Sequence, residues 1–582
     1  MKRSIFFPFT FLSGCILFMF ISNKIHAQQV DVENLKDNFS KKNLLKVNGG
    51  LSANLVTYNG NSEANRVPYF WNIGGNINFK LFKVLDLPFS VNLTNAGSNL
   101  NLPTSPNRIG VHPHYKSLTG HFGDVNMTFS PYTLNGHQFS GAGLDFAPKG
   151  GLKMSAMYGR FQKSVEFDST NKNTAAAYKR FGYGARIGYE KTGYSFGLNM
   201  FTAYDRVASL QNKPDMLEIY PQHNLVTSAT LGLKPIKGID FTSEYAISAL
   251  TKDIRDTTSV TAKSGNVLSG LIGAKNSTAY YKAFKFQINL TIKKSTLGFG
   301  YERIDPGYKT LGAYFFANDL EKFTTNFASV FFKNKLAAAI NMGIQRDDLN
   351  NDKSGKNLRF VGAANVNINP SAKVAIALSY SNFQNYMNIK SQFQFINQLN
   401  QLQSLDSLKF TQISQNANIN INYMFQMTTA LTQGLNLNLS FQDASSTQGN
   451  VSNVSGSSQF YNGALAHNIG FNKIDFNIST GYNFTYNTIA LDHFITQGPT
   501  VVLNKKWYKR KITTGLTTSY NVSTSSNKLV PKIYILNIRL GVTYNFYKNH
   551  NFNLSVMNQS KFQELKTNMN SVIGNLGYSF NF

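Results

Sequence analysis

Phe284-Lys285-Phe286-Gln287-Ile288-Asn289-Leu290-Thr291-Ile292-Lys293 decides the fold, because apolar and polar side chains alternate through the whole stretch. A period of two puts successive side chains on opposite faces of an extended chain. The stretch therefore reads as a β-strand with one apolar and one polar face. The pattern returns where Ile413, Ala417, Ile419, Ile421, Tyr423 and Phe425 oppose Asn416, Asn418, Asn420 and Asn422, and again at Leu435, Leu437, Leu439 and Phe441. Tyr534, Leu536, Ile538, Leu540, Val542, Tyr544 and Phe546 likewise alternate with Asn537, Arg539, Thr543 and Asn545.

A soluble sandwich would also alternate, but two details favour a membrane barrel. The runs cover roughly 10 to 17 residues, against the ~5–6 of soluble strands, and match tilted strands that cross a bilayer. Their polar face is Asn, Gln, Ser and Thr, which suits a watery lumen, while the other face suits lipid. Composition agrees. Only 15% of the 582 residues are charged, and 47 Phe and 29 Tyr stand beside 15 Pro. Aromatic side chains fit a pleated surface.

Connections supply an independent test, since outer-membrane barrels alternate short periplasmic turns with longer external loops. From residue 137 onward, short turns are expected near 148–150, 191–193, 235–238, 293–295, 333–335, 369–371, 472–473, 504–506 and 548–550. The longest connections between them run about 163–178, 206–221, 251–277, 305–322, 384–408 and 442–457. About 22 strands follow residue 120 and two to four precede it, so the expected fold is all-β: a single large transmembrane antiparallel barrel of about 24 strands, range 22 to 26. With ~20 residues between the leader and the first candidate strand, near 46, no folded plug domain is expected.

Lys2 and Arg3 precede an apolar run from Ile5 to Ile21, and Ile25-His26-Ala27 has the small-residue ending of a cleavable leader. The expected organisation is a signal peptide over 1–27, a short periplasmic segment over 28–45 and the barrel over 46–582. A rival reading takes Leu12-Ser13-Gly14-Cys15 as a lipobox; it would leave the apolar Ile16–Ile21 stretch at the mature N-terminus. Cys15 is the one cysteine, so cleavage at Ala27 removes disulfides, thiol catalysis and Cys-ligated metal from consideration. The formal charge of +28 includes three basic leader residues, and an exported chain of this charge is not expected to meet nucleic acid.

The last segment sets Val572, Gly574, Leu576, Tyr578, Phe580 and the final Phe582 against Asn575, Gly577, Ser579 and Asn581. It resembles the C-terminal signal that barrel-assembly machinery reads, which implies Tyr578, Phe580 and Phe582 as the recognised side chains. The stretch Phe129-Ser130-Pro131-Tyr132-Thr133-Leu134-Asn135-Gly136-His137, with Gly141-Ala142-Gly143 and Met157-Tyr158-Gly159-Arg160, is similar to a family of outer-membrane β-barrels of Bacteroidota. So are Asp305-Pro306-Gly307-Tyr308, Leu311-Gly312-Ala313-Tyr314 and Asn318-Asp319-Leu320. The resemblance implies a cell outer membrane address and no reaction. Asp168-Ser169-Thr170, Asp256-Thr257-Thr258 and Asp406-Ser407-Leu408 look like the O-glycosylation acceptor pattern of that phylum, which implies Ser169, Thr257 and Ser407 as acceptors; chance matches in polar loops explain them equally well.

No catalytic constellation is legible. His121 with Asp124, and Asp492 beside His493, are the nearest approaches to a dyad, but adjacent strand residues point to opposite faces. His112 and His114 flank Pro113 without a third ligand, and Asp348-Asn350-Asp352 starts like a calcium loop whose Gly355 comes late and whose final position is Arg359. No enzyme activity, cofactor or metal is expected.

Lysine marks the short turns: Lys149, Lys191, Lys237, Lys294, Lys333, Lys473, Lys505 and Lys548 predict a basic periplasmic rim. It could hold anionic headgroups, bias a pore toward anions or dock an acidic partner; ordinary snorkelling interface lysines are the plainer account. The candidate lumen-facing residues are Lys285, Gln287, Asn289, Asn416, Asn418, Asn420, Asn537 and Arg539. The sequence thus reads as a non-enzymatic channel or translocation path for solutes or macromolecules. The alternative is a structural or interaction subunit whose lumen is filled by loops or by a partner. Implied partners are outer-membrane lipid, the assembly machinery during biogenesis, and a periplasmic or surface lipoprotein.

Overall fold

The computed structural model describes residues 45–582 apart from 62–66, 83, 96–102, 104–105, 169–175, 212–218, 257–266, 315, 352–357, 383–412, 445–446, 449–450, 453–457, 490–491, 548 and 564–567. The expected leader and nearly all of the 28–45 segment lie outside the described residues. Leu45–Gly60 is the first strand described, and each strand of the wall pairs antiparallel with the next stave up to Met569–Asn581, while the short Thr447–Gln448 and Val451–Ser452 strands pair apart from it. That last strand pairs with the first, Leu51 opposite Phe580 and Leu55 opposite Leu576, and so closes the sheet into a barrel.

The sheet holds 27 strands, but Arg108–Val111 and His114–Tyr115 are two pieces of one place in the wall, since both lie between Leu85–Thr94 and Leu118–Thr128. The break falls at Pro113, which has no N–H to give a ladder. The barrel therefore has 26 staves, the upper end of the expected range.

Cross-strand register carries the period of two around the whole wall. Phe286 and Ile288 sit opposite Tyr301 and Phe299, on the same face as Phe323 across the next pair. That face is outward and apolar, with Phe299 52%, Phe323 58% and Leu540 58% exposed. A continuous apolar girdle of this kind is what lipid requires and water penalises. Among the described residues no helix is long and apolar enough to cross a membrane.

Short turns lie at one end of the barrel, where both Leu45 and Phe582 are found, and longer loops at the other. The alternation begins with the first hairpins, at 82–84 and 116–117, earlier than the sequence pattern shows. Residues 504–506 do not form a turn: they belong to the strand Asp492–Trp507, and the chain reverses at 508–511, where Tyr508, Lys509 and Arg510 all adopt positive φ. Consecutive lysines read as a turn by charge, yet a strand end at the membrane interface tolerates them. Asn369-Pro370-Ser371 is likewise strand, with Pro370 inside a register shift between Ile368 and Ser371.

Candidate functional site

The strands Leu118–Thr128, Asn135–Phe146, Leu152–Gln162 and Tyr194–Asp205 break the polar-inside rule. Their inward faces carry Val125, Met127, Phe139, Met157, Phe161, Phe201 and Ala203, all buried in one cluster with Phe129, Leu134 and Leu311. Apolar side chains facing a watery lumen must be covered, at a gain of roughly 1.5–3 kcal/mol for each large one. Two loops from the end opposite the short turns cover them by folding inward.

The loops are 129–134 and 305–319. Tyr308 Oη donates to the Tyr132 carbonyl at 3.0 Å, Thr310 Oγ1 to the Thr133 carbonyl at 2.6 Å, and Asn135 N to the Gly312 carbonyl at 2.9 Å. The wall holds the pair from the other side. Asn224 Oδ1 accepts from Leu311 N at 3.0 Å, Ser248 Oγ donates to the Lys309 carbonyl at 2.7 Å, and Glu302 Oε1 accepts from Tyr132 Oη at 2.6 Å. Leu134 and Tyr308 are fully buried, with Tyr132 at 1% exposure. Burial, and after it the Glu302 carboxylate, pushes the Tyr132 phenol far above its ordinary pKa, and burial does the same to Tyr308. Both therefore stay protonated donors throughout the physiological range.

Interior glycines make room for this packing. A Cβ on Gly159 would run into the Phe139 ring, and one on Gly312 would lie 2.8 Å from Phe201 Cε1. Gly159→Val is expected to overpack the cluster by ~1–3 kcal/mol and to expose the Lys309 bond to trypsin in a barrel that still resists heat on a gel. An unchanged digestion pattern would argue against this role.

The inward-folded region has a second, polar surface. Beyond Gly123, whose φ is +97°, Asp124 and Asn126 no longer face outward but line a cavity of about 860 Å³ together with Asn72, Asn76, Ser90 and Asn92 of the nearby staves Tyr69–Leu81 and Leu85–Thr94. The upper part of Leu118–Thr128 thus has both faces inside the barrel. Asp124 accepts from Ser140 Oγ at 2.5 Å and Ile109 N at 3.3 Å and does not meet His121. His121 instead bridges His112 and Asp145, at 2.8 Å each, and His114 contacts Thr119.

The candidate lumen residues lie on the inner face. Lys285 sits between Glu244 and Glu302 across the ladder, and Glu302 faces Lys322, which gives a row of alternating charge. Lys285, Gln287, Glu302 and Lys322 share a second cavity of about 330 Å³ with Asn326 and Asn341. Asn289 Oδ1 accepts from Gln287 and Asn326, both at 3.2 Å. Asn416, Asn418 and Asn420 are half-buried on the Ile413–Met427 strand, where Asn436 donates to Asn422 and Asn422 to Asn420. Asn537 is fully buried between Ser519 and Gln559, and Arg539 follows it on the same face, opposite Thr517.

The basic rim divides. Lys149, Lys237, Lys294, Lys333 and Lys473 stand in short turns, Lys294 Nζ reaching Asn334 Oδ1 at 3.3 Å. Lys191 and Lys505 lie in strand ends on the outer face, over the rings of Tyr189 at 5.6 Å and Trp507 at 5.3 Å. Such lysine-aromatic pairs anchor at headgroup level. Lys191→Gln with Lys505→Gln is expected to leave ion selectivity unchanged; a shifted reversal potential would contradict the outward placement. Lys548, Ser169, Thr257 and Ser407 lie outside the described residues.

Tyr578, Phe580 and Phe582 share the outer face, Tyr578 Oη meeting His550 Nδ1 at 2.8 Å and Phe580 stacking on His550 at 4.2 Å. Sequence reasoning misses the folded-in loops, Glu302, Lys322 and the cavity residues. One signal is present: Val125, Met127, Phe139, Met157, Phe161, Phe201 and Ala203 place apolar side chains at inward positions of four strands between 118 and 205, and a barrel wall of that kind has to bury something inside it.

No family model and no curated relative matches the sequence. Among solved structures, the chain is similar to the P pilus usher PapC translocation pore, at 8% identity and TM-score 0.38 over 93% of this chain and 99% of that one. It is also similar to Acinetobacter baumannii OccAB4, at 9% identity and TM-score 0.29 over 67% and 97%, and to Pseudomonas aeruginosa OccK9, at 8% identity and TM-score 0.28 over 92% and 98%.

Proposed function

We propose that the chain is an outer-membrane channel that passes small polar solutes through the part of its lumen its own loops leave open. The carrying observation is the division of the inner wall. Nearly all buried apolar side chains fall between Val125 and Val361, while the inner face of 413–581 presents Asn, Ser and Thr, most of them half-buried and a few, Asn537 and Ser519 among them, buried against their neighbours. A 26-stave barrel encloses far more space than side chains can fill, so a half-packed interior leaves an aqueous path. The proposal assigns the chain no reaction. The outer membrane follows from the apolar girdle and the two-ended loop pattern, with barrel-assembly machinery acting on the last strand.

A second reading, a structural or interaction subunit closed to solutes and held by a periplasmic or surface lipoprotein, draws on the completeness of the Tyr132–Tyr308 packing. Single-channel recording of the folded barrel in a planar bilayer separates the two. Steady conductance steps are expected; silence from heat-modifiable protein would favour the closed subunit.

A further inference from the structure

Between the inner faces of Leu45–Gly60, Tyr69–Leu81 and Leu85–Thr94 and the back of the folded-in 118–146 hairpin lies the cavity of about 860 Å³. Its volume falls in the ~300–1,000 Å³ range of small-molecule sites. We propose that it binds a neutral saccharide, an inference that rests on the channel reading and names its solute class.

The lining carries the argument. Asn72, Asn76, Asn92, Asn126 and Gln138 put planar amides around one space; an amide carries both donors and an acceptor, and Asn72 Nδ2 and Asn92 Oδ1 spend one of each on one another at 2.8 Å. Vicinal hydroxyls, each a donor and an acceptor, complement such a wall. The formal charges of the lining, Arg108 and Asp124, are opposite in sign, so a charged ligand gains no net attraction there. Asp124 is moreover already engaged by Ser140 and Ile109 N.

Tyr314 supplies the apolar element. Its ring stacks on His137 at 4.0 Å with an 18° tilt, and its hydroxyl accepts from Gln138 N at 3.2 Å. It remains 46% exposed and lines the cavity, so a fixed aromatic surface stands beside the amides. The C–H face of a pyranose packs on such a ring while its hydroxyls meet the amides.

The test is calorimetric titration of the full barrel in detergent with maltotriose, cellotriose and chitotriose, and with triglycine as a peptide probe, beside conductance of the same preparation. Saturable heat with at least one trisaccharide is expected. Tyr314→Ala should weaken it about tenfold or more, and so should Asn76→Leu, a wall substitution remote from the loop packing that guards against a folding artefact. No heat from folded protein, heat with triglycine alone, or affinity unchanged in both variants would overturn the assignment. Binding by a barrel that does not conduct would keep the saccharide site and sink the channel; conductance without binding would do the reverse.

Discussion

Tyr308→Ala combined with Leu311→Ala is expected to raise single-channel conductance several-fold. Tyr308 is fully buried and Leu311 nearly so, and they tie the 305–319 loop to Tyr132 and Asn224. Large-to-Ala changes at such sites cost ~2–5 kcal/mol each, more than a surface loop ordinarily has in local stability. The cost falls on the loop, because the wall beneath is held by ladders on both sides that neither residue joins. The loop should leave the lumen while the barrel stays closed. Recordings showing wild-type steps from the double variant would mean that the loops do not limit passage.

Removal of residues 580–582 should abolish the folded barrel. The seam between the first and last strands depends on these residues, with Leu51 opposite Phe580, Gly50 opposite Asn581, and Gly49 and Phe582 exchanging backbone hydrogen bonds at 2.8 and 2.9 Å. A seam shortened at the short-turn end of the barrel leaves edge groups of Leu45–Gly60 unpaired where lipid offers no substitute. The same cut removes the expected recognition side chains Phe580 and Phe582. Loss of the heat-modifiable band on a gel is the readout. A variant that still migrates as a folded species would show that neither seam nor signal needs the final residues.

The wall was legible because lipid outside and water inside impose a period of two, and segments such as 284–293 and 534–546 obey both solvents. The interior was not. Whether Tyr132 and Tyr308 face solvent or each other depends on pairing across 176 residues, which no local pattern encodes. Likewise the lysine spacing marks the rim but not its direction; Lys191 and Lys505 turn outward because they share strand parity with Tyr189 and Trp507. Asp124 shows the limit of parity itself, since the bend at Gly123 brings an outer-face position inside.

The uneven distribution of internal packing has a mechanical consequence. One arc of the cylinder, from about Val125 to Leu320, is braced across the bore by the two loops, and the arc from 413 to 581 is, among the described residues, a single-layer shell. Lateral pressure from the bilayer then meets a stiff side and a compliant side, so deformation concentrates in the shell from 413 to 581. The bore changes its cross-section there first, and its width becomes a property of the surrounding lipid as well as of the chain.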